Sequence, residues 1–203
     1  MQQNLIFFIC GGGSSERLKE INKEFASILN RNPKILYLPH AIDENHRTIE
    51  NSFNYFKDMM RTVNIVDIDI CYDIGNTKYN NYDALYIAGG DLKKLSKAID
   101  KNSIEHFIKK NSFKCIYGHS AGAIILGSDI LDERNKEKIN TWNLIYDHEI
   151  TCHYYANKEY IALSKKNDQL KLPDNTAVII QDNTPIKYIG EGIIYKESRN
   201  IRN

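Results

Sequence analysis

The sequence predicts an α/β fold with three layers, in which helices flank a mostly parallel sheet. Two observations carry this prediction. Short apolar runs of strand length alternate with segments whose apolar residues recur at helical spacing, and most of the runs end at a turn rich in glycine. With 203 residues the chain has the length of one α/β domain, so we expect a single domain over residues 1–203.

Two strand-turn-helix units open the chain. Leu5–Cys10 is continuously apolar, as expected of a strand buried on both faces, and residues 11–15, Gly-Gly-Gly-Ser-Ser, then lead into a helix. Lys34–Leu38 is the second strand, and residues 48–61 carry apolar side chains at helical spacing. The glycine turn resembles a phosphate cradle, but it lacks the spacing of the known phosphate motifs. This absence favours close packing of the turn against a neighbouring strand.

Two further strands precede the central motif. Residues 63–72 alternate apolar and polar side chains, which indicates a strand near a sheet edge. Ala84–Ala88 is a short apolar strand that ends in Gly89-Gly90-Asp91, and Asp91 is the expected N-cap of the following helix. The two glycines either bring backbone N–H groups close to a substrate or form an ordinary helix-start turn, and the pattern leaves both alternatives open.

The most informative stretch is residues 113–127, where an apolar strand breaks at Gly118 and a helix begins at Ser120. The segment from Gly118 to Gly122 has the form G-x-S-x-G, in which small neighbours let a serine occupy a strained turn with its hydroxyl exposed. Backbone N–H groups at the start of the helix would face a developing oxyanion. The alternative is a serine that only caps the helix in a glycine-rich turn.

The remaining third of the chain is less regular. Residues 128–140 are polar and charged, and we expect a loop over the carboxyl edge of the sheet. Residues 150–155 have the pattern of a strand end, and His153 is expected to lie where this strand passes into a loop. Near the C-terminus, residues 177–189 have the spacing of a β-hairpin with Asp182-Asn183 as its turn.

Composition excludes several classes of protein. Charged residues make up 26% of the chain and hydrophobic residues 42%, and 27 Lys and Arg against 26 Asp and Glu leave a formal charge of +1. The basic residues are scattered, so we expect no nucleic-acid or membrane partner. No basic segment precedes the first apolar run, so we expect neither a signal peptide nor a membrane span. We therefore expect a cytoplasmic protein. The four cysteines are far apart and lie in or beside apolar runs, which predicts reduced, buried thiols.

Several candidate residues fall at predicted strand ends. Parallel α/β sheets place their sites beyond the carboxyl ends of the strands. Ser120, Gly89, Gly90 and His153 all lie at such ends, and this convergence favours a functional site over isolated turns. His40 follows the second strand, where a solvated loop histidine is the more common situation and a pocket residue is the alternative.

Together these residues resemble the S51 serine peptidases, the group that contains aspartyl dipeptidase (dipeptidase E) and cyanophycinase. The resemblance covers most of the chain and implies a class I glutamine amidotransferase-like or flavodoxin-like sheet with a C-terminal β-hairpin region. Its anchors are Gly11-Gly12-Gly13-Ser14, Ile87-Ala88-Gly89-Gly90-Asp91, Gly118-His119-Ser120-Ala121-Gly122-Ala123, Cys152-His153-Tyr154 and Gly190-Glu191-Gly192.

The resemblance implies roles for particular residues. Ser120 would be the nucleophile and His153 its general base. Relatives place an orienting acid after the helix of the elbow, where Asp129, Asp132 and Glu133 stand, and we favour Asp132. Backbone N–H groups of Gly89, Gly90 and Ala121 would form the oxyanion hole. Asp91 and His119 would contribute to substrate binding, since the turn constrains His119 too strongly for it to be the base.

The implied activity is that of a serine peptidase that cuts short peptides through an acyl-enzyme, with an acidic residue such as Asp preferred on the acyl side. We expect a small peptide as partner, no cofactor, no metal, and a monomer or homodimer. The alternative is a non-catalytic or differently tasked amidotransferase-like domain that binds a small ligand. A glutaminase fits less well, since such enzymes carry cysteine at the elbow, and Cys115 lies inside the preceding strand.

Overall fold

A seven-stranded, mostly parallel sheet forms the centre of the molecule. The computed structural model describes residues 5–76, 78–132, 137–154 and 168–190 and the backbone of 195–197. The strands of the central sheet are β1 Ile6–Cys10, β2 Lys34–Leu38, β3 Asp67–Ile70, β4 Ala84–Ile87, β5 Cys115–His119, β10 Thr176–Gln181 and β11 Thr184–Gly190. Their order across the sheet is β11-β10-β1-β5-β4-β2-β3, and the five strands from β1 to β3 are parallel. The predicted fold class is confirmed.

Five helices cover the described part of this sheet. They are α1 Lys19–Ile28, α2 Ile49–Arg61, α3 Leu92–Ala98, α4 Lys101–Asn111 and α5 Ala121–Ile124. The predicted N-cap Asp91 is confirmed, because its carboxylate accepts a hydrogen bond from the backbone N–H of Lys94 at 3.0 Å. None of the helices in the described ranges has the length and apolar character needed to span a bilayer.

The two faces of the sheet carry separate cores, which makes the fold three-layered. Side chains of α1 and α2 pack on one face, and those of α3, α4 and α5 pack on the other. On the first face, rings from four neighbouring strands stack across the sheet, with centroids 4.8–5.6 Å apart. They belong to Phe8, Tyr117, Tyr86 and Tyr37. Aromatic pairs of this kind each contribute about 0.5–1.5 kcal/mol beyond the burial of their area.

The chain after α5 differs from its prediction. Residues 128–140 contain two short strands, β6 Ile130–Asp132 and β7 Glu137–Ile139, which pair with each other and do not form a plain loop. Lys93 on α3 forms an ion pair with each of the two strands, because its Nζ lies 3.1 Å from an Asp132 oxygen and 2.7 Å from a Glu137 oxygen. Polar composition suggested a loop, and the sequence gives no local sign of this contact between distant segments.

A second, smaller sheet has one strand whose end lies close to the end of β5. Its strands are β8 His148–Cys152, β9 Asp168–Leu172 and β12 Tyr195–Glu197, with β8 and β9 parallel. The predicted C-terminal hairpin is confirmed as β10 and β11. Its turn residues Asp182 and Asn183 both have positive φ, 47° and 60°, which is the conformation of a two-residue type I′ turn.

All four cysteines are buried and free, as predicted. Burial raises the pKa of the Cys115 thiol, which lies inside β5 and points into the sheet's core. A raised pKa and full burial both make a thiol unreactive. Cys115 therefore cannot replace the serine of the elbow as a nucleophile.

Candidate active site

Ser120 lies on a sharp turn between β5 and α5. Its φ of 52° and ψ of −114° fall outside the usual regions for a residue with a side chain, so the backbone is strained at this point. The backbone N–H of Ser120 donates to the carbonyl oxygen of Cys10 at 3.0 Å, which fixes the turn to the end of β1. This strand-turn-helix geometry is the one that G-x-S-x-G predicts.

Both glycines of the motif are required by close backbone contacts. A Cβ on Gly118 would lie 2.4 Å from the carbonyl oxygen of Gly122, and a Cβ on Gly122 would lie 2.3 Å from the carbonyl oxygen of Ile87. Side chains cannot approach a carbonyl oxygen so closely. The glycines thus allow α5 to fold back tightly on β5 and to pack against β4.

Three side chains form a hydrogen-bonded series at this turn. Ser120 Oγ lies 2.7 Å from His153 Nε2, and His153 Nδ1 lies 2.5 Å from Asp174 Oδ1. His153 follows the last residue of β8, and Asp174 lies between β9 and β10. The series is open to solvent, with 50% of the His153 side chain and 32% of the Asp174 side chain exposed. A serine, a histidine and a carboxylate in this order can transfer a proton away from the serine hydroxyl.

The carboxylate at His153 is therefore not the one that we favoured from the sequence. Asp132 pairs with Lys93 at 3.1 Å, and the carboxylate next to the histidine is that of Asp174, which corrects the expected role of Asp132. Asp129 accepts a hydrogen bond from the backbone N–H of Thr141 at 2.9 Å and pairs with Lys138 at 2.8 Å. Glu133, the third candidate, lies outside the described residues.

The expected oxyanion residues lie on two sides of Ser120. Ala121 is the first residue of α5 and is buried. Gly89 lies next to the nucleophile turn, because a Cβ on Gly89 would be 3.1 Å from Ser120 Cβ. Gly90, with φ of 145°, packs against Ala41, whose carbonyl oxygen would be 2.1 Å from an added Cβ. Gly89 and Ala121 therefore lie next to Ser120 and Gly90 lies against Ala41, while the role of their N–H groups as an oxyanion hole stays a prediction.

The two expected substrate-binding residues differ in their surroundings. The carboxylate of Asp91 is already used to cap α3, so a further role in substrate binding stays a prediction. His119 is partly buried at the end of β5, where its ring stacks on Tyr86 with centroids 6.3 Å apart. The pKa of His119 is lowered to about 4, chiefly by burial, with the charges of His153 and Arg47 acting in the same direction and the charge of Asp174 opposing them.

The low pKa of His119 predicts a pH dependence of stability. The unfolded chain binds a proton at an ordinary histidine pKa near 6.5, whereas the folded chain does so only near pH 4. Stability should therefore fall as the pH drops from about 6.5 to about 4, by at most about 3 kcal/mol for this group. Thermal unfolding followed across this range should show that the stability of His119→Asn depends less on pH than that of the wild type.

The exposed His106 on α4 provides the control, because His106→Asn should keep the wild-type dependence of stability on pH. An unchanged slope in His119→Asn would refute this assignment.

Other residues near the site have structural surroundings. The buried thiol of Cys152 donates to the carbonyl oxygen of Ser120 at 3.5 Å, and burial raises its pKa. His40 is partly buried after β2, and burial lowers its pKa. Its role in a pocket stays a prediction.

Sequence reasoning missed Asp174. It follows Leu172 and Pro173 and precedes Asn175, a run whose composition is typical of an ordinary turn between two strands. Its position shortly before the apolar run 177–180 does not distinguish it from the other carboxylates of the chain. The resemblance placed the acid instead in the segment after α5.

An α/β sheet with a serine on a sharp strand-to-helix turn is the arrangement of the nucleophile-elbow hydrolases. The model of peptidase family S51 matches residues 6–195 of this chain. The match spans nearly the whole sequence, and the chain belongs to peptidase family S51. It is accordingly a hydrolase of peptide bonds, and the resemblance inferred from the sequence motifs is confirmed.

Comparison with solved structures supports the same fold. A crystal structure of a peptidase from an acI-B1 Actinobacterium aligns with a TM-score of 0.69 and covers 98% of this chain and 97% of that chain. Sequence identity is 16%, so this likeness concerns the fold. No curated protein matches the chain in sequence.

Proposed function

We propose that the protein is a serine peptidase that cuts short peptides through an acyl-enzyme formed on Ser120. The observation that carries the proposal is the hydrogen-bonded series of Ser120, His153 and Asp174. In this proposal His153 Nε2 accepts the hydroxyl proton while Ser120 Oγ attacks the carbonyl carbon of the substrate. Asp174 accepts the Nδ1–H of His153, which fixes the tautomer and stabilises the imidazolium that forms.

The later steps use the same residues. The oxygen of the attacked carbonyl becomes negatively charged, and in this proposal the N–H groups of Ala121 and Gly89 bind it. His153 then returns the proton to the leaving amine, which departs and leaves the acyl group on Ser120. A water molecule, deprotonated by His153, hydrolyses this ester and restores the free hydroxyl. Loss of one such oxyanion donor typically costs about 10²–10³-fold in kcat.

We further propose that the enzyme prefers an acidic residue, such as Asp, on the acyl side of the bond. Arg47 supports this preference, because its charge acts on His119, the neighbour of Ser120. Arg47 is exposed and precedes Thr48, the N-cap of α2. An exposed guanidinium that reaches the substrate could bind its carboxylate through charge-assisted hydrogen bonds.

Replacing Arg47 tests the preference. A hydrogen bond to a charged group contributes about 1.5–3 kcal/mol, so Arg47→Gln should lower kcat/KM for aspartyl dipeptides by about ten- to hundredfold. The kcat/KM for alanyl dipeptides should change only a few-fold. Arg61 near the other end of α2 pairs with Asp58 at 2.8 Å, and Arg61→Gln is the matched control. Equal losses on aspartyl and alanyl dipeptides in Arg47→Gln would contradict the preference while leaving the serine mechanism intact.

A further inference from the structure

The glycine turn after β1 packs directly against the histidine of the site. Gly12 has φ of 115°, and a Cβ on it would lie 2.5 Å from His153 Cε1 and 3.2 Å from Asp174 Oδ1. Cε1 is the ring atom between the two nitrogens that contact Ser120 and Asp174. The backbone of Gly12 therefore borders the one edge of the ring that lies between both hydrogen bonds.

The same turn is fixed to the residues on either side of Asp174. The N–H of Gly11 donates to the carbonyl oxygen of Thr176 at 2.9 Å, and the N–H of Asn175 donates to the carbonyl oxygen of Gly12 at 2.8 Å. A Cβ on Gly11 would be 2.2 Å from the Pro173 carbonyl oxygen. A Cβ on Gly13 would be equally close, 2.2 Å, to Asn175 Oδ1. The turn and the loop of Asp174 thus pack together with no room for side chains on the glycines.

A further contact holds the turn from its other side. The N–H of Ser15 donates to the hydroxyl of Tyr55 on α2 at 2.8 Å. The turn is thus connected to β10, to the loop of Asp174 and to α2. These contacts are the packing that the sequence favoured over a phosphate cradle.

We propose that Gly11–Gly13 is the positioning element of the site, which holds the His153 ring toward Ser120 and holds Asp174 toward the ring. The inference rests on the proposed function, since it concerns the same three side chains. Half of the His153 side chain is exposed, and Gly12 lies against the Cε1 edge of its ring. An atom added at Gly12 would push the ring at Cε1 and move both nitrogens away from their partners.

Gly12→Ala tests this inference. A displacement near 1 Å can cost about a hundredfold in rate, so kcat should fall by about that factor while KM changes only a few-fold. The rate constant for inactivation by a serine-reactive phosphonate should fall in parallel, whereas the fraction labelled at completion should equal that of the wild type. Gly75→Ala, in an exposed loop remote from these contacts, is the control and should keep wild-type kcat. A wild-type kcat in Gly12→Ala would overturn the inference. A smaller labelled fraction with an unchanged rate constant for inactivation would also overturn it, since this result would indicate only that part of the protein is unfolded.

A second variant serves if Gly12→Ala does not fold. Gly11→Ala adds a methyl group 2.2 Å from the carbonyl oxygen of Pro173, the residue before Asp174, at a position whose φ is not positive. The loop of Asp174 must move to accept it, so kcat should fall by about tenfold or more with little change in KM. A wild-type kcat in folded Gly11→Ala would overturn the inference.

The outcome also separates this inference from the proposed function. If Ser120→Ala abolishes turnover and the glycine variants behave like the wild type, only the positioning role fails. If Ser120→Ala retains turnover, the proposed function itself fails.

Discussion

Ser120→Ala is expected to lower the turnover of peptide substrates by about four to six orders of magnitude, because it removes the atom that we propose to form the acyl-enzyme. The fold should persist. The serine side chain is only partly buried, and its backbone contact with Cys10 does not involve the hydroxyl. The measurement is kcat with aspartyl dipeptides, together with thermal unfolding of both proteins to show that the variant is folded.

Ser27→Ala controls for the loss of a serine hydroxyl. Ser27 lies on α1, where its hydroxyl donates to the backbone of Glu24 at 2.7 Å, far in sequence from the site residues. Its turnover should match the wild type. A folded Ser120→Ala preparation, free of contaminating peptidase, that keeps more than a tenth of the wild-type kcat would exclude Ser120 as the nucleophile.

Asp174→Asn is expected to lower kcat by about three to four orders of magnitude with little change in KM. The carboxylate can only accept a hydrogen bond, so it requires the proton of His153 on Nδ1 and leaves Nε2 free to accept from Ser120. An amide can donate its N–H to Nδ1, which favours the opposite tautomer and removes the base. Steady-state kinetics on a dipeptide series separates this loss of kcat from a loss of binding.

Asp132→Asn is the matched control for this change. It removes one carboxylate of the cluster around Lys93, which is not part of the hydrogen-bonded series of Ser120, His153 and Asp174. Its kcat should stay within a few-fold of the wild type. If Asp132→Asn abolished turnover and Asp174→Asn did not, the assignment of the carboxylate would be wrong.

Local sequence patterns were sufficient to predict the parts of the site that belong to one strand and its turn. Gly118, Ser120 and Gly122 lie within five residues, and the constraints on them arise from contacts among themselves and with β4. His153 was also predictable, because it ends an apolar strand and interrupts its pattern. The same holds for the fold class, since alternating periodicities are local properties of the chain.

The position of Asp174 could not be predicted in this way. Twenty-one residues separate Asp174 from His153, and more than fifty separate it from Ser120. Asp174 and His153 come together because β9 pairs with β8 and because β10 joins the central sheet beside β1. Neither pairing leaves a signal in the residues around Asp174, whose neighbours have the composition of an ordinary turn. The contact between Gly12 and His153 also joins segments that are far apart in the chain, so no local sequence pattern predicted it.

The most direct test of the central claim is to identify the residue that a peptidyl phosphonate modifies. Intact-protein mass spectrometry should show one adduct per chain, and peptide mapping should locate it on Ser120, because that hydroxyl lies 2.7 Å from His153 Nε2 at an exposed turn. The adduct should be absent in Ser120→Ala and should form far more slowly in Asp174→Asn. An adduct on another residue, or full peptidase turnover in protein that never reacts, would contradict the account.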